Sequence, residues 1–402
     1  MNLSTDELLI FNEAKLHLLK ENLSDLSDQQ LELFINKTCI QKMEHNKLKL
    51  GFDRIYEIAL QIFYRIRGYG VIENLLLDDG ISEIMVNNLH DIFIEKKGKI
   101  SKSIYSIEDE KEYYRIIQKI VSKSGREVNL SNPIVDARLD DGSRVNIVLP
   151  PIANLQPVMT IRKFPKMNID MRRLIENTTL SEENASFLKT LVISKYNILI
   201  GGGTSSGKTT FLNALAEYID DDERIITIED SRELQIENKK NLISLETRNS
   251  NNSNRGLIDI SDLIKNSLRM RPDRIIVGEV RSKETIDMLT ALNTGHDGGL
   301  TTAHANSTID MISRLETMVL KSDQNIPLEA VKRMIGSSLE ILIHLAKLEN
   351  GNRKVVEISE IHTQQNEICI NSLYEYNYET NMLERTKNEM IRKEKLRGHH
   401  ER

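Results

Sequence analysis

Two spacings of hydrophobic residues alternate along the chain, and each change of spacing marks an element. In residues 1–50, Leu8, Leu9, Phe11, Leu16, Leu19, Leu31, Phe34 and Ile35 recur among charged neighbours. A Ser/Asp cluster at 24–28 interrupts them, so the pattern predicts two or three short amphipathic helices. Their polar faces mix signs, which favours a small bundle or a partner-docking segment over a helix lying on a membrane. From 51 to 70, Ile55, Ile58, Ala59, Ile62, Phe63 and Ile66 keep helical spacing until Gly68 and Gly70 end it, and a new domain is expected to begin near residue 51. Short alternating runs at 83–86 and 92–95 predict strands, 96–99 a turn, and 108–124 a helix. The stretch 133–151 reads as a hairpin turning at Asp141-Gly142 with prolines at both ends, and 160–164 as one more strand. Pro165 then opens a polar connector that reaches about Ser181.

Beyond the connector, strand-like and helix-like runs alternate, which predicts a mainly parallel sheet covered on both faces. Ile198, Leu199 and Ile200 form one apolar strand, and 224–228 another that ends in Glu229-Asp230. A polar loop at 249–255, a helix at 258–270 and a strand at 274–277 follow. Further on come a helix through Ala291 and Leu292, a loop–strand–loop at 295–307 and a helix at 310–320. No internal repeat is present. The last eighteen residues hold seven Lys/Arg against three Asp/Glu without an apolar face, so they are expected to be a solvated tail or a frayed helix. The resulting layout is a helical segment (1–50), an N-terminal α+β domain (51–165), a linker (166–180) and an α/β domain with its tail (181–402).

Between the strand at 198–200 and a helix carrying Phe211, Leu212, Leu215 and Ile219 lies GGTSSGKT, residues 202–209. It matches the phosphate-binding loop G-x-x-x-x-G-K-[ST] in its required strand–loop–helix context. Gly202, Gly203 and Gly207 let the segment Thr204-Ser205-Ser206 turn its N–H groups inward, and the following helix adds the positive end of its dipole. Lys208 would reach the outer phosphates of a nucleoside polyphosphate. Thr209 would place its hydroxyl on Mg²⁺, and Thr210 would donate to the inner phosphate. The alternative, a Gly-rich turn capping a helix, does not explain the full pattern.

Phosphoryl transfer to water needs a metal, a group that positions the water, and positive charge on the transition state. Glu279 closes the apolar strand IIVGE and Glu229 closes IITIE, and open α/β sheets bind ligands at such strand ends. One carboxylate would hold Mg²⁺ through water and the other orient the nucleophile, unless each merely caps its strand or pairs with Arg232 or Arg281. Gly278, directly before Glu279, departs from the usual strand. His304 follows the strand 300–303 and is placed to sense a terminal phosphate, while His296 suits a local hydrogen bond. Arg138, Arg144 and Arg162 belong to the first domain. They would serve as arginine fingers if delivered to a phosphate loop, and otherwise read as solvated strand residues.

Composition narrows this picture in three respects. A net charge of −6, from 54 Lys plus Arg and 60 Asp plus Glu, argues against a chain-wide nucleic-acid surface. The two cysteines, Cys39 and Cys369, support neither a disulfide framework nor a zinc site. The first residues lack a basic leader, and no stretch approaches the roughly 18 apolar residues of a membrane span. A soluble protein of the cytoplasm is expected.

Seven ordered motifs then resemble one family: SEIMVN at 82–87, DARLDDGSRVN at 136–146, TIRKF at 160–164, GGTSSGKTT at 202–210, TIED at 227–230, LRMRPDRIIVGEVR at 268–281 and NTGHDGGLTTAHANS at 293–307. They are similar to the type II/type IV secretion ATPases and, within these, to the CpaF-like enzymes of tight-adherence (Flp) pilus systems. The resemblance implies a RecA-like P-loop ATPase domain behind a smaller N-terminal α+β domain. It implies ATP and Mg²⁺ as cofactors, a homo-hexamer, and work on integral platform proteins at the cytoplasmic face of the inner membrane. By the same resemblance Lys208 and Thr209 belong to the Walker A box, Glu229 to the Asp box, Glu279 to an atypical Walker B box and His304 to the His box. Arg138, Arg144 and Arg162 would approach nucleotide from the first domain. The four-cysteine zinc module of the type II branch is absent, and 1–50 and 363–402 show no family signature. Competing readings are a RecA-like nucleic-acid translocase, disfavoured by the net charge, and a nucleotide-dependent scaffold, disfavoured by the two strand-end carboxylates.

Overall fold

The computed structural model describes residues 4–96, 98–164, 169–248, 256–322 and 325–397. The chain divides into two compact units, Met1–Lys166 and Met167–Arg402.

In the first unit, helices α1 (Thr5–Leu18), α2 (Asp28–His45) and α3 (Phe52–Ile66) form a layer. Ser4 and Ser27 start α1 and α2 through capping boxes closed by Glu7 and Gln30, each satisfying helix-end amides that would otherwise lack partners. Ile10, Phe11, Leu18, Leu31, Ile35, Ile55, Ile58 and Ile62 share one core, so α3 belongs with the two helices before it. The apolar stripe of α3, which follows the boundary expected near residue 51, is buried against α1 and α2. After α4 (Ile72–Leu77) come β1 (Ile81–Val86), β2 (Ile92–Lys96), β3 (Lys99–Lys102), α5 (Glu110–Lys123), β4 (Ile134–Arg138), β5 (Arg144–Val148) and β6 (Val158–Arg162). The strands make one antiparallel sheet, in the order β3-β2-β1-β6-β5-β4. Helix α5 packs its Tyr113, Ile116, Ile117 and Ile120 into the core of this sheet.

The second unit begins with α6 (Met171–Glu176), where Met171 and Leu174 enter the core. The stretch expected to be a polar linker carries a packed helix, because Met171 and Leu174 are three apart on one face. There follow α7 (Glu182–Ile193), β7 (Ile198–Gly202), α8 (Lys208–Ala216), β8 (Ile225–Glu229), β9 (Leu242–Glu246), α9 (Ile260–Ser267), β10 (Arg274–Val280), α10 (Glu284–Leu292), β11 (Leu300–His304), α11 (Thr308–Ser322) and α12 (Leu328–Ser338). The unit ends with β12 (Ile341–Lys347), β13 (Arg353–Gln364), β14 (Glu367–Asn377), β15 (Met382–Arg385) and α13 (Glu394–Arg397). The polar loop read at 249–255 lies outside the described residues.

Its sheet runs β15-β14-β13-β12-β7-β11-β10-β8-β9. The strands from β12 to β9 are parallel, and β13, β14 and β15 add an antiparallel wing that the sequence pattern does not announce. Both faces are covered: Ile198 and Ile200 of β7 join the core with α7 and α8, while Leu199 joins the core with α10, α11 and α12. This two-sided burial explains the unbroken apolar runs of the parallel strands.

Residues 386–397 are packed as well, against the expectation of a solvated tail. Met390 is buried, and fully buried Glu360 accepts the N–H groups of Ile391 at 2.8 Å and Arg392 at 2.5 Å. Tyr196 donates to the Arg392 carbonyl at 2.5 Å. Among the described residues, no helix is long and apolar enough to cross a membrane.

Candidate functional site

The phosphate loop leaves β7 after Gly202 and enters α8 at Lys208. Ser205 (φ 60°) and Gly207 (φ 94°) both take the left-handed conformation, which curls the main chain back on itself. At Gly207 this conformation is one that only glycine adopts without strain. No side chain caps α8, and the first α8 amide is satisfied only at Phe211, whose N–H reaches the Gly207 carbonyl at 2.9 Å. The amides of Lys208, Thr209 and Thr210 therefore have no acceptor within the helix and, with the helix dipole, favour an anion.

Lys208 is 8 % exposed, and its ammonium donates to the carbonyls of Gly202 and Gly203, both at 3.0 Å. Burial lowers its pKa. The same nitrogen lies 3.4 Å from His304 Nδ1. His304 ends β11 and stands in register with Gly202, so the parallel ladder itself sets the histidine beside the loop. His304 Nε2 lies 2.9 Å from Glu279 Oε1. Burial, and then the Lys208 charge, hold the His304 pKa below the ordinary histidine value, so the ring is neutral at neutral pH. Arg281 closes the chain of contacts, donating to Glu279 Oε2 from Nε at 2.9 Å and Nη2 at 2.7 Å.

Glu279 reaches this position through an irregularity in β10. Val277 pairs with Thr301 and Val280 with Ala303, so two residues of β10 are accommodated against one of β11. A bulge re-aims the side chain it carries. Thr302 fixes it by donating to the Gly278 carbonyl at 2.7 Å. Strand β10 runs on to Val280, one residue past the end expected at Glu279.

The neighbouring carboxylate is placed differently. Glu229, 4 % exposed, accepts the N–H groups of Glu233 at 2.7 Å and Leu234 at 2.9 Å on Oε1, capping the turn after β8. Its turn presents Glu233, whose Oε2 lies 3.4 Å from the Thr209 hydroxyl. Glu233 and Arg353, which donates from Nε to the Ser205 carbonyl at 2.9 Å, are site residues that the motifs did not single out, while the pairing of Glu279 with Arg281 is the alternative named for that carboxylate. For Glu233 the only sequence signal is its position four residues after Glu229. His296 makes the expected local contact, 3.3 Å from the Thr294 hydroxyl.

The buried Ser206 hydroxyl has no hydrogen-bond partner, and beside Glu279 Oε1 stands the His304 ring nitrogen. A hydroxyl donor within the loop and a carboxylate acceptor beyond it suit a polyphosphate with its metal and water. Among the described residues, no three His, Cys, Asp or Glu side chains converge on a metal position. The Thr209 hydroxyl and Glu233 carboxylate, 3.4 Å apart, are oxygen donors of the kind Mg²⁺ takes together with phosphate and water.

In the first unit, Arg138 pairs in register with Arg144, and Arg144 with Arg162. Register partners share a sheet face, so β4, β5 and β6 present the three guanidinium groups as one row. Glu83 of β1 continues the row opposite Arg162.

Residues 66–399 match the family model described as Type II/IV secretion system protein. The match thus extends past residue 363, where no signature was expected. Conjugal transfer protein TrbB of Rhizobium radiobacter is 32% identical over 295 residues, covering 72% of this chain and 87% of that one. Type IV secretion system protein VirB11 of Bartonella quintana is 29% identical, covering 71% and 90%. The crystal structure of the pilus retraction motor PilT with bound ADP superposes with a TM-score of 0.54 at 22% identity, covering 75% of this chain and 82% of that one, a likeness of fold.

Proposed function

The chain belongs to the type II/IV secretion system protein family, and from that premise we propose that it is a Mg²⁺-dependent ATP hydrolase driving pilus assembly or protein secretion. One observation carries the reading: Lys208, His304, Glu279 and Arg281 form a continuous series of contacts beside an uncapped helix N-terminus. Loop and helix amides from Thr204 to Thr210 bind the phosphates, and Lys208 exchanges its carbonyl partners for phosphate oxygens. Glu279, with Oε1 beside His304 Nε2 and Oε2 held by Arg281, accepts a hydrogen bond from the attacking water and orients it. Neutral His304 reports the terminal phosphate to Glu279 without transferring a proton. Glu229 shapes the turn that carries Glu233. Thr209, with Glu233 and Glu279 through water, would hold Mg²⁺, which would supply positive charge against the developing phosphate charge.

The arginine row of β4, β5 and β6 supplies transition-state charge as a finger set, within one subunit or to its neighbour. The assembly is a homo-hexamer acting on membrane platform proteins from the cytoplasmic face of the inner membrane, and the specific system is of the tight-adherence (CpaF-like) type. Phosphate release tests the core of the reading. Lys208→Ala is expected to abolish hydrolysis, and Glu279→Gln to keep ATP bound while slowing turnover roughly 10²-fold or more. Wild-type turnover by the Glu279→Gln protein would overturn the role of Glu279. Hydrolysis that depends on added DNA would favour a translocase instead.

A further inference from the structure

Strand β13 touches two parts of the site. At its start Arg353 holds the Ser205 carbonyl of the phosphate loop at 2.9 Å. Four residues on, Glu357 pairs in register with His344 of β12, which in turn pairs with Gly201 of β7. Gly201, His344 and Glu357 thus form a row on one sheet face. Helix α11 lies on that face, with Met311 packed over Gly201.

The first residue of α11 is Thr308, 2 % exposed, and its hydroxyl donates to Glu357 Oε1 at 2.8 Å. The Ser359 hydroxyl donates to the same oxygen at 2.5 Å. Thr308 follows His304 by only four residues. The intervening loop is braced within itself, the Asn306 N–H reaching Asp310 Oδ2 at 2.8 Å and the Asp310 N–H reaching the Ser307 hydroxyl at 3.0 Å. One end of this short span is fixed to Gly202 by the β7–β11 ladder. The other is fixed by a buried hydroxyl on a half-buried carboxylate.

We propose that Glu357 is a positioning residue which, through Thr308, holds the His304 loop in the geometry that joins Lys208 to Glu279. Its role in turnover rests on the ATPase reading above; its role in placing His304 does not. Removing the acceptor leaves the Thr308 hydroxyl buried and unpaired, so α11 shifts to find water and carries the loop with it. A displacement of about an ångström at a catalytic group is enough to slow a reaction by up to 10²-fold.

The test uses the full chain with Glu357→Ala, Glu357→Gln, Thr308→Val, Thr308→Ser and the double variant Glu357→Ala/Thr308→Val. In ATP hydrolysis, Glu357→Ala and Thr308→Val are expected to lower kcat about tenfold with KM little changed. The double variant should be no worse than either single one, because both remove the same bond. Glu357→Gln and Thr308→Ser keep an acceptor and a hydroxyl and should restore most of kcat, which general loss of stability would not allow. A second arm needs no activity: the His304 ring signals are read by NMR without nucleotide at one fixed pH above the ordinary histidine range, assigned by their loss in His304→Gln. Their chemical shifts should move in Glu357→Ala and Thr308→Val, because the ring leaves its place between Lys208 and Glu279, and stay as in wild type in Glu357→Gln. Unchanged His304 shifts in both Glu357→Ala and Thr308→Val overturn the proposal whatever the ATPase result. Absence of hydrolysis by the wild-type protein would defeat the functional reading alone, leaving the ring signals to decide the placement of His304.

Discussion

Gly278 lies directly beneath the side chain of Glu229: a Cβ at 278 would stand 2.9 Å from Glu229 Cγ. The glycine that makes the β10 motif unusual is therefore the space into which the carboxylate of the adjacent strand fits. Glu229 cannot simply swing away, because its Oε1 holds two backbone N–H groups of the following turn. Gly278→Ala is expected to destabilise the protein by about 1–3 kcal/mol through overpacking. Removing the obstructing side chain makes room, so Glu229→Ala should cost less in the Gly278→Ala background than in wild type. Urea denaturation of the four proteins of this cycle measures the difference, and additive effects would contradict the contact.

Why some of this was legible in advance and some was not follows from how each feature is built. The phosphate loop is eight contiguous residues whose chemistry is local, so the sequence alone defines it. The three arginines stand out one by one, but their alignment in a row depends on strand register. Glu279 was visible as a strand-end carboxylate, whereas the bulge that aims it at His304 arises from pairing with β11. Glu233, Arg353 and Glu357 carry no motif and meet the site through contacts between distant parts of the chain. The order of the tail has the same origin: it comes from Glu360 and Glu340, polar residues whose burial is not visible in the local pattern.

The arginine row leads to a complementation experiment. If the finger set acts between subunits, mixing Arg144→Ala subunits with Lys208→Ala subunits should restore part of the ATPase activity that neither protein has alone. Each mixed site can then combine an intact phosphate loop from one chain with an intact row from the other. Arg138→Ala and Arg162→Ala should behave alike, since all three belong to one register row. Mixtures as inactive as their components would assign the arginines to their own subunit or to folding.

Glu7 gives the helical layer an acid-sensitive contact. It is 5 % exposed and accepts a hydrogen bond from Arg54 Nε at 2.6 Å, tying α1 to α3. The Arg54 bond, reinforced by the Ser4 N–H, lowers its pKa from 4.5 to about 2. Because the folded value lies below the ordinary one, the ionised form favours the folded state above pH 4.5, and this advantage fades as the pH falls toward 2. Glu7→Gln should therefore lower the denaturation midpoint at neutral pH and have little effect near the acid limit. A penalty independent of pH would show that the contact acts through shape and not through charge.

The C-terminal segment is expected to be part of the foundation of the nucleotide site. Lys395 donates to Glu340 Oε2 at 2.7 Å, and the same oxygen accepts the Asn197 N–H at 2.8 Å. Asn197 immediately precedes β7, the strand that delivers the phosphate loop, and its Oδ1 takes the N–H groups of Gly298 at 2.8 Å and Gly299 at 2.9 Å just before β11. Glu360 meanwhile depends on the Ile391 and Arg392 amides. A chain ending at Lys387 loses these donors and leaves two buried carboxylates short of partners, each unsatisfied group costing about 1–3 kcal/mol. A chain ending at Arg397 retains the donors and serves as the control. Urea denaturation should show the shorter chain several kcal/mol less stable, by summing those individual costs, and nucleotide affinity should fall with it as β7 and β11 lose their common anchor. Equal stability of the two truncated proteins would mean that the segment only rests on the surface.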